Sequence, residues 1–303
     1  MNEETPLIKS TPLRVFIFIV CFFITQVISG LLLTLVLWLE KSADGPTAAF
    51  KKLYEGESSF NAIAVLITMN FITGMLLVFF FRKRIDRRSV YSLGWEFTHH
   101  YKEAIVGLCA GVACIGLGTL ILTATQHLHF IGWDIDGWGL MISVVLLILV
   151  AIVEEMIFRG YILNNLLPSV NKYKALILSS LIFAVAHGAN PDFNGLAFIN
   201  IFLAGLFLGV NYIYTRNLWY AVVLHFTWNF FQGPVLGYKV SGTNFPTIFQ
   251  QELSGNDLIT GGKFGLEASV VATVLILLFT FILAGVYQKK SAVEKKSTTD
   301  HSG

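Results

Sequence analysis

The sequence predicts an all-α, polytopic membrane protein with about eight transmembrane helices, and three observations carry that prediction. Of its 303 residues, 55% are hydrophobic and only 13% charged, against about 25% charged residues in an ordinary soluble domain. Apolar stretches of spanning or near-spanning length recur along the whole chain, each matched to roughly 30 Å of hydrocarbon. Lys and Arg gather in alternate connections, the pattern left when basic loops stay in the cytoplasm.

The first stretch, residues 13–39, is too long for a signal-peptide core and no small-residue cleavage site follows it, so it reads as a membrane anchor. The others are residues 60–81, 101–124, 138–166, 173–187, 195–214, 217–232 and 268–288. The fifth and seventh are short, which suits helices that end inside a protein cavity rather than facing lipid throughout. Arg82, Lys83, Arg84, Arg87 and Arg88 follow the second, Lys172 and Lys174 open the fifth, Arg216 separates the sixth from the seventh, and Lys289, Lys290, Lys295 and Lys296 follow the eighth. Residues 125–137 and 188–195 contain no Lys or Arg. The first loop departs from the pattern with Lys41, Lys51 and Lys52, although Glu40, Asp44, Glu55 and Glu57 accompany them. Both termini are therefore expected in the cytoplasm, in a plasma membrane. Trp133, Trp138 and Trp219, near span ends, read as interfacial anchors.

Residues 1–290 are expected to form a single transmembrane domain, and residues 291–303, rich in Lys, Ser and Thr, a disordered cytoplasmic tail. A net charge of +2 gives no basis for nucleic-acid binding. Cys21, Cys109 and Cys114 all sit in apolar runs and read as small hydrophobes, with no disulfide or thiolate metal framework. The longest connection, about residues 233–267, reads either as cover for the outer mouth of a cavity or as an irregular loop.

Chemistry is concentrated in three places. Glu154, Glu155 and Arg159 lie within an apolar span, where an ionisable side chain is costly unless paired, hydrated or functional. Neighbours on a helix project about 100° apart, so the two glutamates face different surroundings. Glu155 and Arg159, four residues apart with the acid first, are placed to pair, which leaves Glu154 for a water-containing pocket. The competing reading is that these charges only brace neighbouring helices. His187 closes the fifth span, and His225 and Asn229 share one face of the seventh. An imidazole beside a carboxamide supplies two donors for an oxygen developing negative charge. Asn194 and Asn200, flanking the sixth span, read as helix-to-helix glue more readily than as support for the site. At about 1.5 Å per helical residue, Glu154 lies about 20 Å from Leu167, His187 about 20 Å from Lys174, and His225 roughly 13 Å from Arg216. The three therefore share a middle layer, expected to open toward the cytoplasm. A base, two imidazoles, an amide and a braced acid and arginine are the components of water-activated acyl transfer. Ser179 and Ser180 lack a neighbouring base in sequence, the cysteines sit far from these motifs, and Glu267 is the one partial candidate for a second carboxylate.

Taken together these residues resemble the CPBP family of intramembrane proteases, also called the CAAX protease and bacteriocin-processing or Abi family, which includes the type II CAAX prenyl endopeptidases. Its Glu-Glu-x-x-x-Arg motif is matched by Glu154, Glu155 and Arg159, its Phe-x-x-x-His motif by Phe183 and His187, and its His-x-x-x-Asn motif by His225 and Asn229. The resemblance covers residues 138–232, with no departure at the motif positions. It implies an endopeptidase in which Glu154 activates water, His187 positions it, His225 and Asn229 steady the scissile carbonyl oxygen, and Glu155 and Arg159 hold the helix geometry, Glu155 being a candidate second acid. No cofactor is favoured; Zn²⁺ held by Glu154, His187 and His225 is the alternative, although the ligand spacing is not His-Glu-x-x-His. The implied partners are the lipid bilayer and a membrane-anchored or prenylated peptide or protein substrate. The short loops look like bacterial members, which include bacteriocin-immunity proteins. Two other classes remain: a membrane protein that binds peptide or confers immunity without cutting, and a transporter, for which polar groups clustered in one half of the chain are a poor match.

Overall fold

A computed structural model describes residues 5–39, 45–54 and 59–300. Glu40, Lys41, Asp44, Glu55 and Glu57 of the first loop, and residues 301–303 of the tail, lie outside the described residues. The elements in order are α1 (Thr11–Leu39), α2 (Pro46–Tyr54), α3 (Phe60–Phe80), α4 (Tyr101–Ala124), β1 (Leu128–Trp133), α5 (Gly137–Glu155), α6 (Asn164–Leu166), α7 (Lys172–Ala186), α8 (Gly195–Gly209), α9 (Tyr212–Thr215), α10 (Trp219–Phe230), β2 (Phe249–Leu253), α11 (Asp257–Thr260) and α12 (Val270–Asp300). A π-helical segment, Met156–Leu163, joins α5 to α6 in one continuous rod, and shorter π-turns follow α3 and α10.

The architecture is mostly helical, as expected. Six helical rods are long and apolar enough to cross a membrane: Thr11–Leu39, Phe60–Ile85, Tyr101–Ala124, Gly137–Leu166, Gly195–Thr215 and Val270–Ala292. The chain is an integral membrane protein. The expected eight are six by this measure, because stretches 173–187 and 217–232 form helices of only 15 and 12 residues, α7 and α10. A crossing takes roughly 20. α12 also runs on to Asp300, through residues that composition assigns to a disordered tail. Ala292, Glu294, Lys295 and Lys296 there are good helix formers.

Polar side chains set the helix starts. Asp136 caps α5 through Gly139 N at 3.0 Å, Asn171 caps α7 through Tyr173 N at 2.9 Å, and Asn194 caps α8 through Leu196 N and Ala197 N, each at 3.0 Å. Asn194 is thus a cap. Asn200 is the glue expected of it: Nδ2 donates to Glu267 O (2.7 Å) and Ser269 O (2.8 Å), and Oδ1 accepts from Thr273 Oγ1 (2.7 Å), tying α8 to the start of α12. Pro168, just beyond α6, has no N–H to donate back to the Asn164 carbonyl and ends the rod.

Small residues let the site helices approach. A Cβ on Gly107 of α4 would lie 2.5 Å from the Tyr220 carbonyl of α10, and one on Gly205 of α8 would meet Ser180 of α7 at 2.7 Å. The core continues toward the basic loops as a packed aromatic layer. Phe18 stacks on Tyr161 with ring centres 4.0 Å apart and meets Phe81 edge-on, while Phe22 meets Phe158. Below it Asp86 is held by Arg82 (3.1 Å), Arg14 (3.4 Å) and Asn165 (3.2 Å), all buried.

At the other end β1 and β2 pair antiparallel, Leu128 opposite Leu253 and Trp133 opposite Phe249, with a register break between Phe130 and Gly132. This ribbon is the one departure from an all-helical plan among the described residues. Phe130, Ile131, Trp133 and Trp138 are exposed along it or just after it, in keeping with an interfacial position. Trp219 instead packs edge-on against Trp95 and Phe97.

Candidate catalytic site

Glu155 and Arg159 are both fully buried, and Arg159 Nη1 donates to Glu155 Oε1 at 2.8 Å. Arg159 also donates through Nη2 to Gly205 O at 3.0 Å and lies over the Phe183 ring, 4.5 Å from its centre. The pair therefore ties α5 to α7 and α8, with Nη1 and Nη2 each directed at an acceptor. Glu155 Oε1 has a second partner: His225 Nδ1, at 2.9 Å, from α10.

His187 comes to the same place from the end of α7. Its Nδ1 is 2.8 Å from Phe183 O, and since a carbonyl only accepts, Nδ1 carries the proton and Nε2 is turned to the other side. Phe183 is the hub between these groups, with its ring 4.5 Å from that of His187, 5.0 Å from Phe158 and 6.3 Å from His225. Its ring thus touches both the Arg159 guanidinium and the His187 imidazole, whereas Glu155 reaches His225 directly.

Glu154 projects away from Glu155, as adjacent helical positions must. Its Oε2 lies 3.7 Å from His187 Nε2 and 3.8 Å from His225 Nε2. Those separations are longer than a direct hydrogen bond and of the size a bridged contact has. Oε2 is buried and accepts no hydrogen bond from the chain. Asn229, one turn beyond His225, is buried and lines the same cavity. All six candidate residues thus meet, in two layers: Glu154, His187, His225 and Asn229 border the cavity, while Glu155 and Arg159 stand behind His225.

The three groups considered for a metal do not form a ligand set as placed. Around one Zn²⁺ with bonds near 2.0–2.1 Å, neighbouring ligand atoms stand about 3.4 Å apart, and both carboxylate-to-imidazole separations exceed that. Among the described residues no group of three or more His, Cys, Asp or Glu side chains is arranged to hold a metal ion.

The cavity has a volume of about 720 Å³, within the range of small-ligand sites. Its polar end holds the groups above with Asn200 and Glu267, and its apolar lobe runs between Phe23, Val27 and Leu31 of α1, Phe50 of α2, and Ile63, Leu66 and Ile67 of α3. Val240, Ser241, Thr243 and Phe245 also line it, so the long connection does cover a cavity. Glu267 was legible only as a partial candidate. It is buried, and its Oε2 accepts from Ser241 Oγ at 2.7 Å and Ser241 N at 3.0 Å. Burial lifts its carboxyl above the usual carboxylate range, against the opposing pull of Ser241, His187 and His225.

One expectation fails here. The cavity was expected to open toward the basic loops, but α3, α7 and α10 line it with residues from the ends that face away from them, while Phe207 and Leu208 of α8 close it on the basic side. The half toward the basic loops is filled by Phe158, Arg159, Tyr161, Ile162 and Leu163, none more than 2% exposed. Depth along single helices does not reveal which half of a bundle is filled.

Residues 136–231 match the family model described as type II CAAX prenyl endopeptidase Rce1-like. The chain carries a CAAX-protease-like domain. It begins at the α5 cap, Asp136, and ends one residue beyond α10, so all three motifs fall inside it. Helices α1–α4, the apolar lobe that α1–α3 supply and Glu267 lie outside the matched residues. No curated protein and no solved structure is significantly similar to the chain. The matched domain supports protease-like enzymatic activity in general terms, and its buried Glu and His contacts are consistent with a catalytic site.

Proposed function

We propose that the protein is an intramembrane endopeptidase that hydrolyses a peptide bond of a membrane-associated or lipidated peptide, with Glu154 activating the water. The observation that carries this reading is Glu154 Oε2, unpartnered by the chain and flanked by two imidazole Nε2 atoms at the polar end of a cavity. A water there gives one proton to Glu154 as its oxygen attacks the scissile carbonyl carbon, and His187 Nε2 accepts from it and sets its direction. The carbonyl oxygen gains negative charge opposite His225 and Asn229. Two carboxylates against Arg159 leave one negative charge, which a doubly protonated His225 balances; its Nε2–H then joins the Asn229 amide as a donor to that oxygen. Collapse breaks the C–N bond, and the proton held on Glu154 passes to the departing amine. The apolar lobe suits the anchor of a membrane-tethered substrate.

In the same reading α7 and α10, with the connections at their ends, complete eight crossings, residues 1–290 act as one domain, and both termini lie in the cytoplasm of a cell bounded by a plasma membrane. The test is cleavage of a proteome-derived set of membrane-anchored peptides by the reconstituted protein, beside Glu154→Ala and with chelator added. Cleavage lost with Glu154→Ala and untouched by chelator supports the reading. Chelator-sensitive cleavage restored by Zn²⁺ moves the water onto a metal, and no cleavage across the set favours a binding or immunity protein.

A further inference from the structure

The cavity and the basic loops lie at opposite ends of the molecule. Connections 82–100, 167–174 and 216–218 contain eight Lys and Arg against Asp86 and Glu96, whereas connections 125–136, 188–194 and 231–269 contain six Asp and Glu against Lys239 and Lys263, and the first loop, the exception, balances Lys41, Lys51 and Lys52 with Glu40, Asp44, Glu55 and Glu57. Such asymmetry orients a membrane protein with its basic connections in the cytoplasm. None of the cavity-lining residues comes from the three basic connections. Pro191, Val240, Ser241, Thr243, Phe245 and Glu267, from the acidic ones, do line it. On α3 the lining residues fall between Ile63 and Asn70, near the end that follows the first loop, and on α10 between Leu224 and Asn229, away from Arg216.

The way in from the basic side is closed twice. The Phe18, Phe22, Phe81, Phe158 and Tyr161 rings form one layer, and the buried Asp86 cluster with Arg14, Arg82 and Asn165 forms another beneath it. Opening the second layer for a peptide would strip buried charges of their partners. No comparable ion cluster separates Glu154 from the acidic connections among the described residues; it meets the cavity directly, with 26% of its side chain exposed.

We infer that the site receives its substrate from the extracytoplasmic face: a peptide tethered in the outer leaflet, its scissile bond reaching Glu154 past the 240–245 segment and its apolar anchor lying between α1 and α3. This deepens the proposed hydrolytic reading and rests on it for the chemistry, but the sidedness stands on charge and packing alone. Cytosolic C-terminal tails are then excluded as substrates, and exported or surface-anchored peptides are the class to search.

The test separates the two. In full-length protein with Cys21, Cys109 and Cys114 replaced by Ala, single cysteines are introduced by Thr243→Cys in the cavity wall, Glu252→Cys on exposed β2 and Lys174→Cys on the exposed basic side. A charged, membrane-impermeant methanethiosulfonate is then applied to intact cells and to inverted vesicles. The expected result is that T243C and E252C label in intact cells and K174C only in inverted vesicles. Labelling of T243C from the K174C side or from neither side, or of E252C only in inverted vesicles, overturns the inference. The readout needs no cleavage, so a failure of the protease reading leaves it interpretable.

Discussion

His225 Nδ1 and Arg159 Nη1 converge on the same oxygen, Glu155 Oε1, at 2.9 and 2.8 Å. That shared oxygen decides which imidazole nitrogen looks into the cavity: with Nδ1 held behind, Nε2 faces Glu154. Glu155→Gln removes the charge while its carbonyl oxygen can still accept from both donors, the NH₂ taking the place of Oε2, which has no partner in the chain. Turnover should fall about 10²- to 10⁴-fold, the scale of general acid–base effects, with KM little changed. Glu155→Ala strands Arg159 in the core and should also lower stability by about 3–5 kcal/mol. Steady-state kinetics and thermal unfolding in detergent distinguish the two: a Gln variant with full turnover would remove Glu155 from the catalytic arrangement.

Asn229 tests the carbonyl-oxygen contact separately. It is buried beside the cavity one turn beyond His225, and Asn229→Ala deletes a donor while leaving the ion pair intact. Removal of one such donor costs about 10²–10³ in kcat. Single-turnover cleavage in proteoliposomes reads this step without interference from product release. An effect confined to KM would mean that Asn229 binds the peptide in its ground state and has no closer relation to the reacting carbonyl.

Much of this arrangement is legible in sequence because hydrocarbon makes charges conspicuous. Glu154, Glu155 and Arg159 stand out against their apolar neighbours, and the four-residue spacing pairs Glu155 with Arg159 before any coordinates are drawn. The link from Glu155 to His225 is not legible, since it spans 70 positions and depends on how α5 meets α10. Glu267 is hidden for another reason: at the edge of a span it looks like an ordinary interfacial acid, and only the fold of residues 233–269 buries it against Ser241. The direction of the cavity is lost too, because hydrophobicity marks core and lipid-facing surface alike. The two-stranded ribbon escapes notice since β1, with Leu128, Phe130, Ile131 and Trp133 in six residues, has no period-two alternation.

Gly205 links packing to the site. Its carbonyl accepts from Arg159 at 3.0 Å, and its missing side chain admits Ser180 of α7. Gly205→Ala sets a methyl 2.7 Å from Ser180 Cβ and 2.9 Å from its Cα, so the helices must separate. Overpacking of this kind costs about 1–3 kcal/mol. Because α7 carries His187, activity should fall beyond what the lost stability explains. Ser180→Gly in the same chain removes the Cβ contact but leaves the one to Cα, so it should restore both in part, and a double variant that regains stability without activity would show that the strain reaches the site by another path.

Glu267 yields a pH signature. Burial raises its carboxyl above the ordinary range, so between the unfolded and folded values the native state binds more protons than the unfolded chain. Stability contributed by this group therefore falls as pH rises from the ordinary carboxylate range through the raised value, and is constant above it. Glu267→Gln keeps an acceptor for the Ser241 amide but cannot ionise. The unfolding temperature of the wild type should match or exceed that of the variant at the acid end and drop below it toward neutral pH, so the difference between them grows with pH. Thermal unfolding of both proteins from pH 4 to pH 8 reads that difference directly. A constant gap across the range would mean that Glu267 stays ionised on folding, with His187 and His225 outweighing the burial.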